Sequence, residues 1–207
     1  KKGEALLNQK KYNEALSNFL LAYKTLKSLR QEGAMAISLH KIGRVYKRMN
    51  NLSEAENYFI LALRINNRIG NAFGKASNLG MLGILYDNIG KYDEAIHMYK
   101  EALKMFQDID DVRNSLAVLV NLAGSYLSIE DYGSASKVAY SGLKFQKANK
   151  MNHEIWLLYS RLYNIEIAQG RKDIAEFFWF KARDSYLEYR QFNGAPEFAD
   201  GELLDYV

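Results

Sequence analysis

Ala15, Ala55, Ala95, Ala135 and Ala175 recur at intervals of 40 residues without a register slip. Each closes a related phrase: Lys11-Tyr12-Asn13-Glu14-Ala15, Asn51-Leu52-Ser53-Glu54-Ala55, Lys91-Tyr92-Asp93-Glu94-Ala95, Asp131-Tyr132-Gly133-Ser134-Ala135, and Lys172-Asp173-Ile174-Ala175. A fixed period of this size over a whole chain denotes stacked copies of one supersecondary unit, not a single globular core. Whatever the chain does must be done with repeated, one-sided elements.

Composition narrows the rest. Apolar residues make up 48% and charged residues 25%, which excludes wholesale disorder. The single proline, Pro196, leaves the first 195 residues free of the strongest helix breaker. With no cysteine there is no disulfide, thiolate metal site or thiol nucleophile; this fits an intracellular chain, and a cytoplasmic location is the expectation. No apolar run reaches the about 18 residues of a membrane span. The chain begins Lys-Lys-Gly with no methionine or signal-like stretch and reads as an excerpt of a longer protein.

The net charge of +4 is uneven. Residues 1–50 hold 11 Lys and Arg against three Glu, whereas residues 193–207 carry Glu197, Asp200, Glu202 and Asp205 with no base. A basic head and an acidic tail are thus built into one chain.

Asn13, Ser53, Asp93, Gly133 and Asp173 all suit a helix N-cap, so a helix (B) is predicted to start just before each periodic alanine, spanning about 13–31 and its equivalents. Ala22, Ala62, Ala102, Gly142 and Ala182 lie two turns further along the same face, with Phe19, Phe59, Tyr99, Ala139 and Trp179 between. The preceding segments run Leu39-x-x-Ile42-Gly43-x-x-Tyr46, Leu79-x-x-Leu82-Gly83-x-x-Tyr86 and Leu119-x-x-Leu122-Ala123-x-x-Tyr126. That spacing is one apolar stripe on a helix (A), with a small residue where another helix crosses. Asn50-Asn51, Gly90-Lys91, Glu130-Asp131 and Gly170-Arg171 read as short turns with C-cap chemistry. Glu14, Glu54 and Glu94 are first-turn residues that complement the helix dipole, not a carboxylate pair.

The pattern Leu-x-x-Leu-Gly-x-x-Tyr, followed by (Gly/Asn)-(Lys/Asn)-Tyr-x-Glu-Ala and a later Ala, resembles the tetratricopeptide repeat (TPR). The 40-residue period is similar to the long-helix variety of spindle-orientation adaptors, kinesin light chains and bacterial TPR regulators. The resemblance implies an all-α, right-handed superhelical solenoid of about five helix-turn-helix pairs, the first one partial because Gly3 aligns with Gly43. The expected pairs fall at about 1–31, 33–71, 73–110, 112–150 and 152–191, giving an array over 1–192 and an acidic tail over 193–207. Two copies depart from the pattern. In the fifth, Tyr163, Glu166 and Lys172 fill the Gly and two Tyr positions, as a terminal copy with a changed outer surface would. In the fourth, Ala139 and Gly142 replace bulkier residues, which leaves either a loose joint or a notch that admits another segment.

The resemblance also places helix A on the concave side, with the ligand-facing positions next to the packing stripe. These are His40, Lys41, Arg44, Lys47 and Arg48, then Gly80, Met81, Ile84, Asp87 and Asn88, then Val120, Asn121, Gly124, Leu127 and Ser128, and finally Ser160, Arg161 and Asn164. Such a groove is cationic at one end, apolar in the middle and amide-rich at the other, which suits an extended or helical acidic peptide. The carboxylate clamp for an acidic chain terminus is not reproduced, because Met81 and Ala117 stand where polar or basic groups are needed. Charged helix faces also serve solubility alone. Asn121 and Asn164, however, fall mid-helix, where Asn is a poor helix former, and this favours a binding role.

Other chemistry finds no support. His40, His97 and His153 fall in different repeats, without metal-ligand spacing or a serine to activate. Gly80-x-x-Gly83 lies inside a helix and is not a phosphate loop. No enzyme activity, cofactor or metal is expected. The leading reading is a protein-interaction scaffold that binds an acidic segment. The alternative is a sensor or regulatory module of a larger signalling protein, its acidic tail docking on the basic head of the same chain or a neighbour. Self-association through the solenoid ends is a further option, and nucleic acid is disfavoured because the basic patch is modest and no helix-turn-helix signature is present.

Overall fold

The computed structural model describes residues 2–149 and 155–193. Among them ten helices follow one another: α1 (Lys2–Asn8), α2 (Tyr12–Ser28), α3 (Glu32–Arg48), α4 (Leu52–Arg68), α5 (Ala72–Asn88), α6 (Tyr92–Asp108), α7 (Val112–Ser128), α8 (Tyr132–Ala148), α9 (Ile155–Ala168) and α10 (Lys172–Asn193). They form two compact units, Lys1–Asp110 with α1 to α6 and Asp111–Val207 with α7 to α10. The residues of the acidic tail beyond 193, and His153, lie outside the described residues.

The helices α2 to α8 each have 17 residues. The turns between them have three, and the middle one has a positive φ. Gly70, Gly90 and Gly170 supply it at 70 to 74°, and Lys10, Arg30, Asn50, Asp110 and Glu130 at 53 to 60°. A left-handed residue lets the chain fold that residue's N–H and the next one back onto the last helical carbonyls. Thus Asn51 N–H donates to the Tyr46 carbonyl at 2.9 Å and Asn50 N–H to that of Lys47 at 3.0 Å, and the same pair of bonds recurs at Lys91/Gly90, Asp131/Glu130 and Arg171/Gly170. The sequence predicts this geometry for the A-to-B turns. It also closes the B-to-A turns at Arg30 and Gly70. The 40-residue period is therefore two half-units of 20, each a 17-residue helix and its turn.

This geometry corrects the expected N-caps. The B helices begin at Tyr12, Leu52, Tyr92, Tyr132 and Lys172, so Asn13, Ser53, Asp93, Gly133 and Asp173 lie inside the first turn. The capping positions fall two residues earlier. Asn51 Oδ1 accepts from the Glu54 N–H at 3.3 Å and Asp131 Oδ1 from the Ser134 N–H at 3.0 Å. Lys11 and Lys91 hold the same position without a side-chain bond. The preceding turn fixes where each helix begins, and a capping side chain only strengthens it.

All five periodic alanines are fully buried. In unit 1 the small residue of each A helix receives the aromatic of its own B helix. A Cβ added to Gly3, Gly43 or Gly83 would lie 2.6, 2.8 or 2.6 Å from the nearest ring carbon of Phe19, Phe59 or Tyr99. In unit 2 the suspected notch at Gly142 is closed, because Leu158 of α9 packs onto it with Cδ2 2.8 Å from where a Cβ would stand. The fourth copy is small where its neighbour is large, and the joint is filled. Glu166, in the Tyr position of the fifth copy, is buried and bonded to Arg171 Nε in the following turn. That bond raises the pKa of the Arg171 guanidinium.

Candidate functional site

In unit 1, α3 and α5 pack side by side, and the predicted binding residues of the second copy all lie on α3. His40 is half-buried between them. Its Nδ1 stands 3.0 Å from Asn78 Oδ1, while Asn78 Nδ2 donates to the Gly74 carbonyl at 2.6 Å. The second bond fixes the amide, so the first requires a proton on Nδ1. Burial pushes the His40 pKa below its usual 6.5, with Arg44 and Lys41 adding to the effect and the Asn78 bond and Glu4 opposing it. The imidazole is neutral at pH 7, and its ring is tilted against Phe59 with centroids 5.5 Å apart.

Beside His40 a cavity of about 280 Å³ opens between the N-terminal halves of α3 and α5. Ile37 and Phe73, each about half exposed, form its apolar wall. Its floor is polar and internally satisfied: Asn71 Nδ2 donates to Asn66 Oδ1 at 3.0 Å, and Asn71 Oδ1 accepts the Gly74 N–H at 3.0 Å.

The cationic residues are less free than their sequence suggested. Glu4 Oε1 lies 3.4 Å from both Lys41 Nζ and Arg44 Nη1. Lys41 also stands 5.6 Å above the Phe19 ring. The Lys47 ammonium is pushed below its usual pKa by burial first, then by Arg48 and Arg44. Arg44 and Arg48, with Leu7, Asn8, Lys10 and Tyr12, line a second cavity of about 320 Å³.

On α5, Met81 packs against the cluster of Ala55, Phe59, Leu82 and Leu85. Ile84 is half-buried and Asn88 is exposed at the helix end. None of the three lines either cavity. Asp87 is engaged, accepting the Tyr99 hydroxyl at 2.8 Å.

In unit 2 the corresponding residues sit on α7 and α9. Asn121 and Asn164 are half-buried, with no side-chain hydrogen bond among the described residues, and Ser128 is exposed at the end of α7. The Arg161 guanidinium lies over Gly124, its Cζ 3.4 Å from where a Cβ would stand. Val120 and Ser160 are not on an open face. Both are buried, and the Ser160 hydroxyl donates to the Trp156 carbonyl at 2.9 Å.

Among the contributors that the sequence does not single out are Glu4, Ile37, Phe73 and Asn78, with Asn66 and Asn71 at the first cavity and Asn8, Lys10 and Tyr12 at the second. Glu4 carried a usable signal, since it stands one 40-residue period before Arg44 with the opposite charge. Among the described residues no group of three His, Cys, Asp or Glu could hold a metal, and no helix is long and apolar enough to cross a membrane. His97 pairs at 3.3 Å with Glu101 on an exposed stretch of α6.

The chain matches the tetratricopeptide repeat family over residues 1–68 and 34–108. Over 88 residues it is 31% identical to the human protein O-mannosyl-transferase TMTC1, a stretch that is 42% of this chain and only 9% of that protein. Several solved structures share the fold. BtubC (BKLC) from P. vanneervenii superimposes with a TM-score of 0.81 at 19% identity, covering 95% of this chain and 82% of that one. A signal transduction ATPase with a tetratricopeptide repeat sensor from Pyrococcus horikoshii gives 0.80 at 18%, covering 91% and 29%. A Rap protein in complex with competence and sporulation factor gives 0.75 at 17%, covering 91% and 53%. At these identities the likeness shows the fold alone.

Proposed function

The chain belongs to the tetratricopeptide repeat family, whose members generally mediate protein–protein interaction, and from that premise we propose that it is a binding scaffold for an extended or helical acidic segment of a partner protein. The observation that carries this reading is the charge balance on α3. Arg44, Lys47 and Arg48 share the C-terminal half of that helix, where burial first and then the two arginine charges depress Lys47, and Glu4 is the one carboxylate paired with this group among the described residues. An acidic segment lying along that face balances these charges. The apolar cavity beside Ile37 and Phe73 accepts a side chain of the same segment. In unit 2, Asn121 and Asn164 offer amides to a peptide backbone. The role is non-catalytic, and the match to a transferase covers too little of that protein to carry its activity here. A pull-down or peptide screen with Arg44→Glu and Asn121→Ala tests the reading. Partner affinity falls in at least one variant if it holds, and unchanged affinity in both refutes it.

A second reading is favoured by the opposition of residues 1–50, at +8, and residues 193–207, at −4. In a regulatory module the acidic tail occupies the α3 face until a partner displaces it, within one chain or between two copies. Crosslinking and scattering across a salt series test this, because an exposed electrostatic contact weakens with ionic strength. A tail that stays mobile at low salt sinks it.

A further inference from the structure

The cavity of about 320 Å³ is bounded by α1, the turn after it, the start of α2 and the C-terminal half of α3. Its size falls at the lower end of small-molecule sites. Arg44 and Arg48, one helical turn apart, line it together with Lys10, and Asn8 and Tyr12 add neutral donors. The Lys10 and Arg48 side chains have no ion pair or hydrogen bond among the described residues, and Arg44 shares its carboxylate, Glu4, with Lys41.

We propose that this cavity binds a phosphomonoester group, carried either by a phosphorylated side chain of a protein partner or by a small phosphorylated molecule. The inference rests on the binding-scaffold reading and names the chemistry that the α1–α3 end of the surface selects. Two unpaired cations and one half-paired arginine match a dianion better than a single carboxylate. Each guanidinium offers a planar fork that takes two phosphate oxygens at once, whereas a lysine supplies a point charge. The Asn8 amide and Tyr12 hydroxyl serve a third oxygen or the bridging one. The first cavity, walled by Ile37 and Phe73, is lined by no Lys or Arg and takes no part.

The test is an amide NMR titration of the full 207-residue chain at constant ionic strength. The probes are inorganic phosphate, O-phosphoserine, and two glycine-flanked pentapeptides that differ only in a central phosphoserine or glutamate. The expected result is saturable shifts confined to residues 7–12 and 44–48, with the phosphoserine peptide binding about ten-fold or more tightly than its glutamate counterpart. Arg48→Gln is exposed and leaves the melting curve unchanged, yet it weakens all three phosphate probes by about ten-fold. Tighter binding of the peptide than of O-phosphoserine assigns the group to a partner protein, and equal binding assigns it to a small molecule. Either outcome supports the site. Non-saturable shifts, or phosphate affinity unmoved by Arg48→Gln, overturn it. Equal binding of the two peptides overturns the phosphate inference alone and leaves the acidic-segment reading standing; binding of none of the four probes counts against both.

Discussion

His40 donates its Nδ1 proton to Asn78 Oδ1 across 3.0 Å, joining α3 to α5 through a neutral imidazole. Burial holds the ring's pKa below the 6.5 of an exposed histidine. A lowered pKa in the folded state means that the unfolded chain takes up the proton first as pH falls. The stability that His40 contributes is therefore complete above about pH 6.5 and is lost on acidification towards the folded-state pKa. Thermal melts between pH 7.5 and 5 should show this loss in the wild type and a shallower one in His40→Gln, which cannot take up a proton. Parallel slopes for the two proteins would exclude His40 as its source.

Two glycines on α5 should respond to alanine in opposite directions. At Gly83 the new methyl lies 2.6 Å from Tyr99, whose ring is buried and whose hydroxyl is held by Asp87. Overpacking there outweighs the gain in helix propensity, for a net loss of about 1–2 kcal/mol. At Gly80 nothing lies within 4 Å of the new methyl, so propensity acts alone and gives a gain of about 0.5–1 kcal/mol. Urea unfolding of the two variants checks the sign of each.

Leu158 and Gly142 should behave as a complementary pair. Leu158→Ala empties a fully packed site and costs about 2–4 kcal/mol. Gly142→Ala forces its methyl onto the leucine Cδ2, 2.8 Å away. Combined, the two changes refill part of the space, so the double variant should be more stable than the sum of the single losses predicts. Strict additivity in chemical denaturation would show that the two side chains do not share that space.

The left-handed turn residues offer a way to stabilise the array. Arg30 and Glu130 hold φ of 53° and 60° with a Cβ in place, at a cost of about 1–2 kcal/mol each relative to glycine. Replacement by glycine removes the steric term and restores some entropy to the unfolded chain, leaving a net gain of about 0.5–1 kcal/mol per site. A raised midpoint in Arg30→Gly and in Glu130→Gly is the expected outcome. No change in either would mean that these turns are not strained.

The helix pairs were legible because the periodic alanines and the Gly43–Phe59 and Gly83–Tyr99 contacts recur in register. The N-caps were misplaced by two residues for a physical reason. At Lys11 and Lys91 the helix starts without a capping side chain, so the nearest short polar residues, Asn13 and Asp93, mimic caps from inside the first turn. The A-to-B turns were partly visible through Gly90 and Gly170. At Arg30 the same backbone is imposed by the ends of two packed helices on a residue that does not favour it. The site was harder. The basic residues of α3 could be named, but Glu4 and Asn78 reach them from neighbouring helices, about one repeat away in sequence. That partnership depends on how the copies stack, and a period alone does not reveal it.

Glu4 and Arg44 occupy the same place in consecutive copies, with opposite charge. A chain that grew by copying residues 33–72 in tandem would set one Arg44 beside another, with no Glu4 between them, and like charges at that distance repel. Each added copy must therefore drop the charge at this position, as Ile84 does in the copy that follows Arg44, before it can stack comfortably. The ion pair thus acts as an order mark that distinguishes the first repeat from the second, and it disfavours lengthening the array by simple duplication of this segment.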